Sequence, residues 1–314
     1  MALAQLSNFA FAALCSGLVT LVVGLVGCDR GGEAVLPVRA INHWPMPPAG
    51  DRIPAPRGLT IGPNDQVVVI DNAGRLLIFD AGGVLQRQWN MPSNENGNAE
   101  GACWLADGRI AVADTHYHRV VFFDSDGNRT GTFGRHSDAG EPGTFRYPVS
   151  IVQDDDEHLY VSEYGGADRI QKFTRDGEFI LAFGRAGTGP GQFQRAAGMA
   201  WHRGRIYIAD ASNGRVQIFA DDGTFIEVLG AADGPLRFRF PYDVAIGPDD
   251  SLFVIEWGAG RVCRTTLDGR VLGRFGEPGS KKGQLRTPWG IDVDSKMRCR
   301  VADTENRRIV ELVL

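Results

Sequence analysis

One phrase occurs six times in this chain and decides what it can fold into. The segments VVVIDNAGRLLIF, IAVADTHYHRVVFF, LYVSEYGGADRIQKF, IYIADASNGRVQIF, LFVIEWGAGRVCRT and CRVADTENRRIVEL are versions of one another. Each is an apolar run ending in an acid, a short turn, and a second run opening with arginine. The acids are Asp71, Asp114, Glu163, Asp210, Glu256 and Asp303, at steps of 43, 49, 47, 46 and 47 residues. A period in that range marks an array of supersecondary units. A second phrase recurs between them, as FGRHSDAGEPGTFRYP, FGRAGTGPGQFQRA, LGAADGPLRFRFP and FGEPGSKKGQLRTP, and an Asp-Gly turn follows the second run at Asp126-Gly127, Asp176-Gly177, Asp222-Gly223 and Asp268-Gly269. Asp-Gly supplies the positive φ that a tight hairpin requires.

Composition points the same way. An apolar fraction of 43% with 23% charged residues is that of a globular protein, and 41 glycines with few stretches of helical period indicate many short strands. The expected class is all-β. The three phrases together resemble the NHL repeat over about residues 50 to 314, which implies a six-bladed β-propeller, each blade having four antiparallel strands, a to d, from the channel outward. The last unit ends with the chain at RRIVELVL, which supplies only its third strand. Its outer strand must come from elsewhere, and AVLPVRAINHW, ahead of the first blade, has the right character, so the propeller is expected over 38–314 with its ring closed by pairing the two ends.

In this register the acid closes strand b and the arginine opens strand c, opposite each other across a hairpin. Asp114 with Arg119, Asp210 with Arg215, Glu256 with Arg261 and Asp303 with Arg308 are therefore expected to be charge-assisted pairs that fix turns. Six acids in such a ring are scaffold, not a catalytic set.

The first 28 residues differ from everything after them. FAFAALCSGLVTLVVGLVGC is a long run without charge, followed by polar, glycine-rich sequence, and reads as an export or anchoring segment. Leu25-Val26-Gly27-Cys28 resembles a bacterial lipobox, which implies a lipid on the Cys28 thiol, a tether over 29–37 and a membrane-anchored propeller outside the cytoplasm. An uncleaved N-terminal helix long enough to span is the alternative. Cys103, Cys263 and Cys299 are left over, an odd number without close spacing, and are expected to be small buried residues rather than a disulfide framework.

Strand alternation sends the b–c turns and the d-to-a links to one face of the ring. His116, His118 and His136 fall there, while His158 and His202 fall on the other. Three imidazoles from neighbouring loops can hold a divalent metal such as zinc with an open position, so a metal-dependent lyase or hydrolase is one candidate activity. The amidating lyases of this repeat type carry metal-binding histidines at the start of inner strands. Here those columns hold Arg57, Val149, Tyr242 and Trp289, so that mechanism does not carry over. No P-loop, dinucleotide fingerprint or nucleophile elbow occurs, and no catalytic residue is assigned.

The leading expectation is a binding scaffold. Arg57, Tyr117, Tyr164, Tyr242, Trp257 and Trp289 collect on the same face among other arginines, a set suited to a peptide, a glycan, an anionic small molecule or a protein partner. A net charge of −5 argues against nucleic acid.

Overall fold

The computed structural model describes residues 34–230 and 236–314. The apolar run 1–28 with Cys28, and the start of the tether, lie outside the described residues. Strand β1 (Ala40–Pro45) comes first. Blade one is β2 (Pro56–Ile61), β3 (Val67–Asp71), β4 (Arg75–Phe79) and β5 (Leu85–Asn90); blade two is β6 (Gly101–Trp104), β7 (Ile110–Asp114), β8 (Arg119–Phe123) and β9 (Arg129–Phe133). Blade three is β10 (Tyr147–Gln153), β11 (Leu159–Tyr164), β12 (Arg169–Phe173) and β13 (Phe179–Phe183); blade four is β14 (Ala196–His202), β15 (Arg205–Asp210), β16 (Arg215–Ala220) and β17 (Phe225–Leu229). Blade five is β18 (Pro241–Ile246), β19 (Ser251–Glu256), β20 (Arg261–Thr266) and β21 (Val271–Phe275); blade six has β22 (Pro288–Val293), β23 (Arg298–Asp303) and β24 (Arg308–Val313). Its fourth place is taken by β1, antiparallel to β24 from Ala40 opposite Val313 to Pro45 opposite Arg308. The ring closes as the sequence required.

Why the second strands are largely apolar is visible in the packing. In β3, Val68 and Ile70 join a cluster with Ile110, Val112 and Val121 of blade two, whereas Val67 and Val69 face Ala302 and Ile309 of blade six. Successive side chains point to opposite faces of a strand, and here both faces are blade interfaces. The run before the closing acid is therefore largely apolar, and its buried polar exceptions are partnered, Ser162 of β11 donating to the Ala197 carbonyl and Arg300 of β23 pairing with Glu311 and Asp294. Near the channel the inner strands approach closely: a Cβ on Gly58 would sit 2.2 Å from the Glu100 carbonyl oxygen, and one on Gly101 2.3 Å from that of Val149.

All six acid–arginine pairs form: Asp71–Arg75 at 2.7 Å, Asp114–Arg119 at 2.8 Å, Glu163–Arg169 at 2.6 Å, and Asp210–Arg215, Glu256–Arg261 and Asp303–Arg308 at 2.7 Å each. The same carboxylates in blades three to six accept a backbone N–H from the incoming link, from Arg146, Gln194, Arg239 and Arg286. Blade two lacks the recurrent link phrase, and there Asp114 Oδ1 is buried with no partner.

The closing blade has a lock of its own. Arg300 is fully buried, pairs with Glu311 at 2.8 Å and Asp294 at 3.3 Å, and lies 4.7 Å from the ring of Trp44 on β1. Asn42 of β1 also donates to Glu311. Just before β1, Leu36 is buried against blade five, and residues 34–36 pair with Arg274 on the outer edge of β21. Removing residues 34–44 is thus expected to open the ring and abolish the single cooperative melting transition seen by calorimetry. An unchanged transition temperature would contradict this closure.

Two aspartates on the channel wall stitch the last blades together. Asp243, in the column held elsewhere by Gly58, Ser150 and Gly290, accepts the N–H of Ile291 in blade six at 3.0 Å. Asp292 accepts that of Ile61 in blade one at 2.7 Å. Burial pushes the Asp243 carboxyl up to about 8, with repulsion from Asp292 adding to it, and burial pushes Asp292 up to about 6. A carboxyl raised in the folded state holds its proton where the unfolded chain has lost it, so it lowers stability as pH rises from about 4 to about 8. Asp243→Asn, which mimics the neutral acid, is expected to melt progressively higher than the wild type across that window, the gap levelling off above it. Parallel pH curves would contradict the assignment.

Candidate functional site

The channel mouth on the face of the b–c turns is built from residues at the entries to the inner strands. Arg57, Tyr242 and Trp289 each follow the proline that opens an inner strand, and Glu100 and Arg195 come from the corresponding entries to blades two and four. Glu100 Oε1 pairs with Arg57 at 2.7 Å, and its Oε2 accepts the Tyr242 hydroxyl at 3.1 Å. That hydroxyl in turn accepts from Arg195 Nη2 at 2.8 Å. Glu100 and Tyr242 are buried, and burial together with the neighbouring Glu100 charge holds the Tyr242 phenol protonated well above its ordinary range.

Both guanidiniums lie over aromatic rings, Arg57 at 4.2 Å from Trp289 and Arg195 at 4.4 Å from Tyr164. Tyr242 packs on Trp289 at 5.0 Å, and Tyr164 stacks on Tyr147 at 5.2 Å and 19°. The result is a continuous arc of arginine and aromatic side chains above a channel cavity of about 220 Å³. Cation–π contacts of this kind contribute about 0.5–2 kcal/mol each, more where water is excluded. The arc is therefore rigid before any ligand arrives.

Arg195 owes its position to a local irregularity. The b–c turn of blade three spans residues 164–168, one more than the 115–118 turn of blade two. The extra residue, Asp168, is only 8% exposed and accepts the backbone N–H of Arg195 at 2.6 Å; the φ of 66 at Arg195 recurs at Phe240 and Thr287, in the same place in blades five and six, at 52 and 46. Beside it an open pocket of about 460 Å³ lies between blades three and four, lined by Tyr164, Gly166, Asp168, Gln194, Arg195 and Ser212. Arg195 forms no ion pair among the described residues, because Glu100 is occupied by Arg57 and Tyr242.

Of the residues singled out from the sequence, Arg57, Tyr164, Tyr242 and Trp289 come together here. Tyr117 stands outside the arc: its hydroxyl donates to Glu95 at 2.8 Å and accepts the N–H of Asn96. Trp257 is 38% exposed and touches the arc only through Phe240, at 5.4 Å. The histidines lie on the expected face. His118 and His136 pack tilted at 52° with ring centroids 4.4 Å apart, and His116 packs on Tyr147 at 5.9 Å. His118 Nδ1 is engaged by the carbonyl oxygen of Arg146, and His136 Nε2 lies 3.5 Å from Asp138. Among the described residues no group of three or more His, Cys, Asp or Glu is arranged to hold a metal ion. Cys103, Cys263 and Cys299 are free thiols, the last two buried.

Glu100 is the member of the arc that the sequence did not give away. The cue for an inner strand was its opening proline, and blades two and four open with Ala99 and Ala196 instead. An acid in a column otherwise holding Arg, Tyr and Trp is the signal an alignment through Gly101 would have carried.

No family model matches the chain. In sequence it is 26% identical over 195 residues to NHL repeat-containing protein 3 of Homo sapiens, covering 59% of this chain and 56% of that protein. The chain thus spans little more than half the length of that curated relative. In structure it superposes on virginiamycin B lyase from Staphylococcus aureus with TM-score 0.63 at 16% identity, over 88% of this chain and 99% of that one. A gluconolactonase from Xanthomonas campestris gives TM-score 0.63 at 15% identity, over 91% and 99%. At such identities the solved structures speak for the fold alone. Six repeats, six four-stranded blades and these likenesses agree: the chain is a six-bladed β-propeller of NHL repeats.

Proposed function

We propose that the protein is a binding scaffold whose ligand docks at the channel mouth and in the adjoining pocket between blades three and four. The observation that carries this reading is Arg195, fixed against Tyr164 and Tyr242 at the pocket wall with no acid of its own. A guanidinium so held is pre-organised for an anionic group, and the tyrosines beside it supply flat apolar surface for whatever bears that group. The mouth sets Arg57 and Arg195 against the Glu100 carboxylate, and the Asp168 carboxylate on the pocket wall is turned to the backbone N–H groups of Gly166 and Arg195 rather than to a guanidinium. The mouth suits a carboxylate on an aromatic or apolar body, whether a small acid or the acidic group of a partner protein. Thermal-shift titration with matched acid and amide pairs, such as benzoate and benzamide, tests it. The acids should stabilise the wild type, and Arg195→Ala should weaken that response about tenfold or more, the loss of one charge-assisted hydrogen bond. Equal responses to acid and amide would overturn the reading.

The N-terminal segment belongs to the same proposal. The lipobox-like sequence supports a lipid on Cys28 that holds the propeller near a membrane outside the cytoplasm. Cells labelled with a radioactive fatty acid should incorporate it into the wild type and not into Cys28→Ser; an unlabelled wild type would contradict the lipid anchor.

A further inference from the structure

The outer strand of every blade is an open edge, with a row of backbone groups free to pair with another chain unless something guards it. Five of the six edges are guarded. β5 carries the exposed Arg87, β9 carries Arg129 and Gly131, β17 carries Glu227, β1 ends in Pro45, and β21 is covered by residues 34–36. β13 reads Phe-Ile-Leu-Ala-Phe and has no charge, proline or glycine. Phe179 and Ile180 on it are 38% and 39% exposed, and Ile226 on the neighbouring β17 is 40% exposed. The two blades adjoin where Gly223 abuts Phe183.

The chain itself shows how such an edge is used. Arg274 on β21 directs both its N–H and its carbonyl outward, donating to Ala34 and accepting from Leu36. Arg274 lies opposite Cys263, two residues after the strand-opening Arg261; the residue in that place in blade three is Ala182, opposite Gln171, two residues after Arg169. Ala182 therefore points its N–H and carbonyl out of the sheet, with no partner among the described residues, and Ile180 beyond it is the extra residue of a bulge between Leu181 and Phe179.

We propose that β13 pairs antiparallel with β13 of a second copy of this chain, about a twofold axis at Leu181. That register sets Ala182 of each copy against the bulged Ile180 of the other, so the outward N–H and carbonyl of each Ala182 meet backbone across the axis. It also brings Glu178 at one end beside Gly184 and Arg185 of the other copy. Neither Glu178 nor Arg185 has an ion pair within its own chain among the described residues, so the charges complement each other at both ends of the ribbon. A twofold contact is self-complementary and closes as a dimer. One short strand per copy falls below the roughly 1,000 Å² of a stable interface, so the dimer is reversible.

Sedimentation velocity of the full chain in mild detergent, across about a hundredfold range of concentration, reads the equilibrium directly. The wild type should pass from monomer to dimer. Ala182→Pro removes only an outward N–H and should raise the dimer Kd about tenfold or more. Glu178→Arg and Arg185→Glu should each weaken the dimer, and the two together should restore it. Ile226→Lys, off the axis, serves as the control and should leave it unchanged. A wild type that stays monomeric, or an Ala182→Pro variant that associates like the wild type, overturns the proposal. Association driven by the N-terminal apolar run would appear as the second of these outcomes.

Discussion

In every blade a carboxylate at the end of the second strand meets a guanidinium at the start of the third, and the rest of the architecture hangs on that contact. The carboxylates of Asp71, Glu163, Asp210, Glu256 and Asp303 are wholly buried, so neither partner can be lost without leaving a charge in a dry site, a cost of about 3–5 kcal/mol. The pair does more than close a turn. Arg169 also donates to the carbonyls of Gly140 and Thr144, Arg215 to those of Gly189 and Gln192, and Arg308 to those of Lys281 and Gln284. One ion pair per blade thereby fixes strand b, strand c and the link arriving from the blade before.

Because the links are fixed, the residues that end them are placed with little freedom. Arg195 is the case in point. It follows a link held by Arg215 and Asp210, and its backbone is held again by Asp168 from the blade before. The charged and aromatic side chains at the mouth thus converge from several blades, and selectivity follows from which residue each repeat carries at its entry to the inner strand. Blade two departs from this scheme. Its incoming segment supplies no N–H to Asp114, and its turn carries His116 and His118, the latter at φ 56 where blades four and five have glycine.

Much of this was legible in the sequence, because the period was strong and because strands buried on both faces are apolar at most positions. The blade number, the closure by β1, the six ion pairs and the segregation of His116 from His158 all follow from those two facts. The site was legible in part. Arg57, Tyr164, Tyr242 and Trp289 were found by their places in the repeat, but Glu100 follows an alanine rather than a proline and Arg195 stands ahead of Ala196 instead of after it, so blades two and four carried no such cue. Nor does sequence alone say that Tyr117 turns toward Glu95 while Tyr164 turns inward. That choice rests on the extra residue in the blade-three turn and on packing between blades, which no single repeat encodes.

The claim that the ion pairs carry the ring is tested most directly by a double-mutant cycle on Asp210 and Arg215, measured by chemical denaturation. The account predicts that Asp210→Asn and Arg215→Met are each strongly destabilising, and that the double variant loses far less than their sum, with a coupling of about 3 kcal/mol or more. Additive losses, with coupling near zero, would mean that apolar packing alone holds the blades and would contradict it.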